Sequence, residues 1–222
     1  LSDRMSGCTL CPRMCEADRE NGKTGFCGET GEIRAARAAL HMWEEPVISG
    51  ENGSGAIFFS GCSLRCVFCQ NYDISHDGFG KSISEERFID IMKELVSKGA
   101  HNINLVNPTH FVPFIRGALE KYKPPVPVVY NTGGYDRVES IKSLDGLVDI
   151  YLPDLKYYDA DVSAKYSAAP DYFEKASEAV LDVRPLGGPA GPAEASGTVD
   201  ILAAALISRR HVDGPGQVQR GG

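Results

Sequence analysis

The sequence predicts an α/β fold with about four parallel βα units behind a cysteine-rich N-terminal segment. Short apolar runs alternate with amphipathic helical patterns from residue 56 to about residue 150. Because strand and helix alternate at the interval typical of βαβ units, we expect the strands to run parallel. All seven cysteines lie in the first 69 residues, so the N-terminal part carries a chemistry of its own.

Composition limits the functions that need to be considered. The chain has 222 residues, 42% of them hydrophobic, which suits one domain with a small appendage. The net charge of -7 disfavours a broad nucleic-acid or anionic-membrane surface. No run reaches the ~18–20 apolar residues of a membrane span, and Leu1–Met5 has no apolar signal region. We therefore expect neither a nucleic-acid nor a membrane partner, and a cytoplasmic location.

The predicted order begins with an N-terminal extension over residues 1–50 and a core domain over residues 51–180. The first core strand is the aromatic-rich run Ala56–Ser60. Ser82 and Glu85 form a predicted capping box for the helix that follows, which ends at Gly99. The later strands are predicted at Asn102–Val106, Pro127–Tyr130 and Leu147–Leu152, with helices at Phe111–Tyr122 and Arg137–Leu144.

Polar or glycine residues follow each of the four predicted strands directly. They are Ser60–Cys62, Asn107–His110, Asn131–Gly134 and Pro153–Lys156. Parallel α/β sheets bind their ligands outside the carboxyl ends of the strands. The sequence therefore predicts one rim where these four segments meet.

The first rim segment carries the strongest motif, Cys62-Ser-Leu-Arg-Cys66-Val-Phe-Cys69. Three thiolates leave a tetrahedral zinc ion one ligand short. They can instead hold three irons of a [4Fe-4S] cluster and leave the fourth iron open. A partial zinc site or three unconnected thiols are the alternatives, but the preceding strand and Phe68 favour the cluster.

A second set consists of Cys8, Cys11, Cys15 and Cys27, with the spacing C-x2-C-x3-C-x11-C. Four thiolates can close a tetrahedral zinc site or hold a second iron-sulfur cluster. An odd total of cysteines in a chain without an export signal disfavours a disulfide framework. We expect a second metal centre here, with free thiols as the alternative.

Several segments together resemble a known family. They are Cys8–Cys15, Gly25–Gly28, Trp43–Pro46, Phe59–Cys62, Cys69–Asn71, Asn107–Phe111 and Tyr151–Lys156. These segments resemble the radical S-adenosylmethionine (SAM) superfamily and, within it, the pyruvate formate-lyase activating-enzyme-like group. The resemblance covers roughly residues 8–175 and implies a partial (βα) barrel of the radical SAM type.

The resemblance also implies an activity. A [4Fe-4S] cluster reductively cleaves SAM, and the resulting 5'-deoxyadenosyl radical abstracts hydrogen from a substrate. The group resemblance suggests a protein substrate, for example a glycine in a partner enzyme, while a small molecule is the alternative. An electron donor such as flavodoxin or ferredoxin is expected. The competing class is a cluster-binding or metal-binding protein that is catalytically inactive as an incomplete chain.

Eight cofactor-binding positions follow from the resemblance, but no catalytic residue does. They are Phe68, Gln70, Thr109, His110, Asn131, Thr132, Asp154 and Lys156. The first two are expected near the adenine, although Phe68 also suits core packing. Thr109 or His110 would replace a Gly-Gly-Glu triplet of many relatives, unless Thr109 only caps a helix. The last four resemble positions that hold SAM or a monovalent cation, and a lysine near a carboxylate also suits a plain salt bridge.

Residues 181–222 are expected to form an atypical, flexible tail. They are rich in glycine and proline and lack lysine and aromatic residues. By resemblance a complete core has about six βα units, of which four are predicted here. A foreign or frameshifted end, completion by a second chain, or a naturally short core would each explain the difference, and we favour the first.

Overall fold

A seven-stranded sheet organises the computed structural model, which describes residues 5–183 and 200–201. The strands are β1 (Arg34–His41), β2 (Ser54–Phe59), β3 (Lys81–Ser82), β4 (Ile103–Val106), β5 (Val128–Thr132), β6 (Ile150–Pro153) and β7 (Asp200–Ile201). The α-helices are α1 (Pro46–Ser49), α2 (Tyr72–Ser75), α3 (Glu85–Ser97), α4 (Val112–Lys121), α5 (Val138–Lys142), α6 (Ala160–Ser167) and α7 (Tyr172–Val183), and a 3-10 turn spans Thr109–Phe111.

The sheet has the order β3-β1-β2-β4-β5-β6-β7, and most of it is parallel. β2, β4, β5, β6 and β7 run in one direction, while β1 pairs antiparallel with both β2 and β3. The four predicted parallel strands are thus β2, β4, β5 and β6, each within a few residues of its predicted bounds. This arrangement confirms the α/β class and is consistent with a partial barrel.

β1 belongs to the sheet although its sequence lies in the predicted N-terminal extension. Six of its eight residues, Ala35 and Arg37–His41, pair with the whole of β2, and the register shifts between Ala35 and Arg37. Alanine disfavours strands, so the segment carries no strand pattern of its own. Pairing along the free edge of β2 satisfies its backbone groups instead.

The first long helix starts two residues later than the sequence suggested. Ser82 lies in β3, and the N-cap of α3 is Ser84, whose hydroxyl accepts from the Arg87 amide at 3.2 Å. The predicted capping box at Ser82 was therefore wrong, because Ser84 lies nearer the first helical turn. The predicted apolar face of α3 is buried, with Phe88 and Met92 fully enclosed against the sheet.

The other face of the sheet is covered by the segment between β1 and β2. Ile48 of α1 packs against Val129 and Leu152. Alternate residues of β5 point to opposite faces, so Tyr130 joins the helix-side core while Val129 meets α1. The segment carries Glu44 to the carboxyl end of β5, where its carboxylate accepts from Asn131 at 3.1 Å.

The N-terminal segment is docked on the core. The Arg19 guanidinium is fully buried and donates to the His110 carbonyl at 2.7 Å. Ser140 and Arg137, at the start of α5, donate to the carbonyls of Leu10 and Thr9, each at 2.7 Å. These bonds hold the cysteine-rich segment beside the strand ends.

The expected flexible tail lies outside the described residues, apart from the last turn of α7 and β7. β7 pairs with β6 at two positions, Ile150 with Asp200 and Tyr151 with Ile201. In the part of the chain that the structure describes, no helix has the length and apolar character to cross a membrane.

Candidate active site

A cavity of about 490 Å³ opens at the carboxyl ends of β2, β4, β5 and β6. Its size suits a cofactor or a small substrate. The lining residues are Phe58, Phe59, Gly61, Cys62, Leu64, Cys66, Phe68, Cys69, Gln70, Asn71, Ile74, Ser75, Val106, Asn107, Asn131, Thr132, Gly133, Asp154 and Lys156. All four predicted rim segments contribute to it.

The loop after β2 directs its three cysteines to this cavity. It starts at Gly61, whose φ of +75° favours glycine and whose missing Cβ would lie 2.5 Å from the Cys27 carbonyl oxygen. Arg65 also has a positive φ of 50°, and its carbonyl is hydrogen-bonded to His76 Nε2 at 3.0 Å. Close packing and side-chain bonds therefore fix an unusual loop conformation.

The three thiols of this loop suit an iron-sulfur cluster chemically. All three are free, and Cys66 is buried. Burial raises the pKa of the Cys62 thiol, while the Leu64 amide donates to its sulfur at 3.3 Å and favours the thiolate. A bound cationic metal centre would deprotonate such a thiol. Nevertheless, among the described residues no three Cys, His, Asp or Glu side chains already stand in the geometry of a metal site.

Six of the eight predicted cofactor positions line the cavity: Phe68, Gln70, Asn131, Thr132, Asp154 and Lys156. Phe68 is 45% exposed and meets the rings of Tyr157 and Tyr166 edge-on or tilted. Lys156 forms an ion pair with Asp154. The two charges at the end of β6 therefore neutralise each other within the cavity wall.

Thr109 and His110 lie behind this wall, which places them away from the cavity they were expected to line. The Thr109 hydroxyl is buried 3.3 Å from that of Thr132, and it makes no helix-capping bond. His110 Nε2 donates to the Ser60 carbonyl at 2.6 Å, and burial lowers the pKa of His110 to about 3. The 3-10 turn directs both side chains toward the protein interior.

Asn107 takes the cavity position at the end of β4. Its φ is +58°, its amide donates to the Gly61 carbonyl at 2.8 Å, and its Oδ1 accepts from the Cys62 thiol at 3.6 Å. Asparagine is the residue other than glycine that most readily adopts this left-handed conformation. Its position directly after the strand was the available signal in the sequence.

The comparison with known families decides the identity of this domain. The radical SAM superfamily model matches residues 56–199. The chain belongs to the radical SAM superfamily. Membership implies a [4Fe-4S] cluster and SAM as cofactors, and the three cavity cysteines fit that cluster.

This radical SAM chain is also similar to an uncharacterized protein of Methanocaldococcus jannaschii. The two are 34% identical over 175 residues, which cover 75% of this chain and 50% of the relative. The chain thus spans half the length of that relative.

Two further contacts of the radical SAM loop were missed by sequence reasoning. The Ser167 hydroxyl, at the end of α6, donates to Cys66 Sγ at 2.8 Å. The Arg13 guanidinium donates to the Ser63 carbonyl at 2.7 Å and stacks 3.8 Å above the Phe26 ring. No local pattern marks these residues, because they lie 101 and 50 positions from their loop partners.

The N-terminal cysteines of the radical SAM chain lie near one another. The pKa of Cys11 is raised to about 12, mainly by burial and also by the charges of Cys27, Cys8 and Cys15. Gly25 leaves room for the Cys15 sulfur, since a Cβ there would lie 2.5 Å from it. The structure therefore groups the four side chains without arranging three of them as metal ligands.

Proposed function

We propose that this chain is a radical SAM enzyme that holds a [4Fe-4S] cluster through Cys62, Cys66 and Cys69 and binds SAM in the adjoining cavity. The observation that carries the proposal is the convergence of three free cysteines from one loop on a cavity built from four strand ends. When bound and reduced, the cluster would supply the one electron that cleaves the S–C5' bond of SAM to methionine and a 5'-deoxyadenosyl radical.

The cavity residues divide into apolar walls and polar contacts. Leu64, Ile74 and Val106 supply apolar wall, which limits access of water to a reactive radical. The exposed face of Phe68 offers a stacking surface for the adenine, and Gln70 adds an amide beside it. Stacking on an aromatic ring contributes about 1–3 kcal/mol per base in other nucleotide sites.

Asn131 is held in one orientation by the segment before α1. A carboxylate only accepts hydrogen bonds, so Glu44 fixes the Asn131 amide nitrogen toward itself. The Asn131 carbonyl oxygen is then free to accept from a hydroxyl or amino group in the cavity. Together with Thr132 and the Asp154–Lys156 pair, it supplies the polar contacts proposed for SAM or a monovalent cation.

Anaerobic reconstitution tests the cluster assignment. We expect about four irons bound through the three loop cysteines and a reduced-cluster EPR spectrum that changes when SAM is added. Cys66→Ala removes that spectrum, whereas Cys15→Ala leaves it in place. A SAM-sensitive spectrum that persists in Cys66→Ala would refute the assignment.

Formation of 5'-deoxyadenosine distinguishes a radical SAM enzyme from a protein that only binds the cluster or a metal. Production of this nucleoside by the reduced protein supports an enzyme. A full cluster with no SAM cleavage under any reductant would instead indicate a protein that only carries the cluster.

The proposed substrate is a protein, with a glycine in a partner enzyme as the first candidate and flavodoxin or ferredoxin as the electron donor. Support comes from the sequence segments that resemble activating enzymes. Deuterium transfer from labelled candidates to 5'-deoxyadenosine tests it. Transfer from a small metabolite and from no protein would exclude the activating-enzyme proposal.

A second metal centre is proposed at Cys8, Cys11, Cys15 and Cys27. The C-x2-C-x3-C-x11-C spacing supports it, together with the proximity of Cys15 Sγ to the Cys8 carbonyl at 4.0 Å. Zinc and iron would be measured in the whole protein and in a variant with all four changed to serine. One zinc, or a further set of irons, should be lost in the variant while the SAM-sensitive cluster remains. Equal metal content in both proteins would exclude the site.

A further inference from the structure

The end of α6 places a hydroxyl group directly on one cluster cysteine. Ser167 Oγ donates to Cys66 Sγ at 2.8 Å, and both residues are buried, at 2% and 7% exposure. A hydrogen bond to sulfur in such a dry position is stronger than one in water.

A second hydroxyl, that of Tyr157, lies next to Ser167. Tyr157 lies fully buried with its hydroxyl oxygen 2.6 Å from Ser167 Oγ. A thiolate can only accept, so the Ser167 proton is directed to Cys66 and Tyr157 must donate to Ser167. The result is a two-step relay of hydroxyl groups that ends on the sulfur.

One backbone bond and the Arg13 side chain hold the two hydroxyl groups beside the loop. The Val67 amide donates to the Tyr166 carbonyl at 2.9 Å. Arg13 Nη2 donates to the Ser167 carbonyl at 2.7 Å, while its Nε donates to Ser63 in the cluster loop. These bonds fix the distance between the end of α6 and the loop, so the donor keeps its position when the charge on the sulfur changes.

We propose that Ser167, oriented by Tyr157, is a positioning residue that raises the reduction potential of the cluster. This inference rests on the proposed cluster at Cys62, Cys66 and Cys69. Reduction adds negative charge that is shared with the cysteine sulfurs. A fixed donor stabilises the reduced state more than the oxidised state, and hydrogen bonds to the sulfurs are among the determinants of cluster potential.

The midpoint potential of the reconstituted cluster, measured by an anaerobic redox titration, tests the inference. Ser167→Ala should make the midpoint potential more negative by up to ~59 mV. This shift corresponds to about a tenfold change in the equilibrium constant for one-electron reduction. Ser167→Thr keeps a hydroxyl, so its midpoint potential should stay close to that of the wild type. Ser163→Ala is the matched control, because the hydroxyl of this buried α6 serine bonds within the helix, to the Ala160 carbonyl at 3.0 Å.

The tyrosine provides an independent arm. Tyr157→Phe should move the potential in the same direction by a smaller amount, because Ser167 loses the donor that polarises it. Tyr151→Phe is its control, since the buried Tyr151 hydroxyl has no partner within the described residues.

Two outcomes would overturn the inference. One is an unchanged potential in Ser167→Ala with the full iron content of the wild type. The other is an unchanged potential in Tyr157→Phe. This second outcome decides the matter if Ser167→Ala does not bind the cluster. Failure of the wild type to bind iron through Cys66 would instead overturn the proposed function, so the two failures are distinguishable.

Discussion

Asn107 combines a strained backbone with two contacts to the cluster loop, and substitutions can separate these contributions. Asn107→Ala keeps a Cβ in the left-handed region and loses the bond to the Gly61 carbonyl. We expect it to lower the free energy of unfolding by roughly 2 kcal/mol. Asn107→Gly removes the strain and should cost roughly half as much. Urea denaturation measures both, and equal losses would mean that backbone strain is unimportant here.

His110 predicts a dependence of stability on pH. Burial and the Arg19 charge lower its pKa from 6.5 to about 3, so the folded state binds no proton over the range where the unfolded chain does. Its contribution to stability is therefore present above pH 6.5 and is lost as the pH falls toward 3. Between pH 6.5 and pH 5 this loss is on the order of 1–2 kcal/mol.

The comparison variant for this prediction is His110→Gln, which keeps a side-chain donor for the Ser60 carbonyl. Its unfolding free energy should fall less steeply between pH 6.5 and pH 5 than that of the wild type. Identical pH profiles from denaturant titrations would contradict the assignment of this proton to His110.

At the scale of elements, α7 braces two sides of the cavity through its first residue. The buried Tyr172 hydroxyl lies 2.8 Å from the carbonyl oxygens of both Gly133 and Asp154 and accepts from the Lys156 amide at 2.9 Å. Tyr172→Phe leaves these backbone groups without a partner, so we expect a loss of about 1–3 kcal/mol of stability. SAM binding, measured by calorimetry on the reconstituted protein, should weaken in parallel.

Tyr158→Phe is the control for Tyr172→Phe. The Tyr158 side chain is 70% exposed and contacts Phe173 of α7. This variant should leave both quantities unchanged. A Tyr172→Phe variant with normal stability and normal SAM affinity would show that the brace is dispensable.

The elements that the sequence predicted share a strong local pattern. The apolar runs of β2, β4, β5 and β6 are flanked by polar ends, and the amphipathic face of α3 is clear, so their existence and order were predictable. β1 and β3 were not, because an alanine-rich strand and a two-residue strand are determined by the edge on which they pair. Likewise, the true N-cap differed by two residues from the predicted one, since Ser82 and Ser84 are equally good caps by residue type.

At the scale of the whole molecule, Arg13 joins parts of the chain that are far apart in sequence. It contacts the cluster loop at Ser63 and the end of α6 at Ser167 and Ala168, up to 155 positions away. Lysine lacks the planar fork that serves several carbonyls at once. Arg13→Lys should therefore lower stability by about 2 kcal/mol, whereas Arg37→Lys on the exposed side of β1 should have no measurable effect.

Differential hydrogen exchange would locate the effect of Arg13→Lys. Faster exchange is expected in both the cluster loop and α6. Faster exchange confined to the N-terminal segment would contradict the proposed link.

The sequence predicted those residues of the candidate site that directly follow a strand of the parallel sheet. Parallel sheets bind ligands at the carboxyl ends of their strands, and this rule correctly predicted that Cys62, Asn131 and Asp154 meet in one cavity. It failed at Thr109 and His110 because the chain turns inward after β4, a matter of backbone conformation at Asn107. It could not find Ser167, whose place beside Cys66 depends on how α6 packs after the sheet has formed.

The separation between Cys66 and Ser167 has a consequence for biosynthesis. The two residues are 101 positions apart, and a ribosome adds about 5–20 residues per second. The cysteine loop therefore exists for roughly 5–20 s before the helix that packs on Cys66 has been synthesised. During that interval its thiols are open to oxidants and to stray metal ions in the surrounding solution. We therefore expect the proposed cluster to be assembled after α6 has been translated, when Cys66 becomes buried.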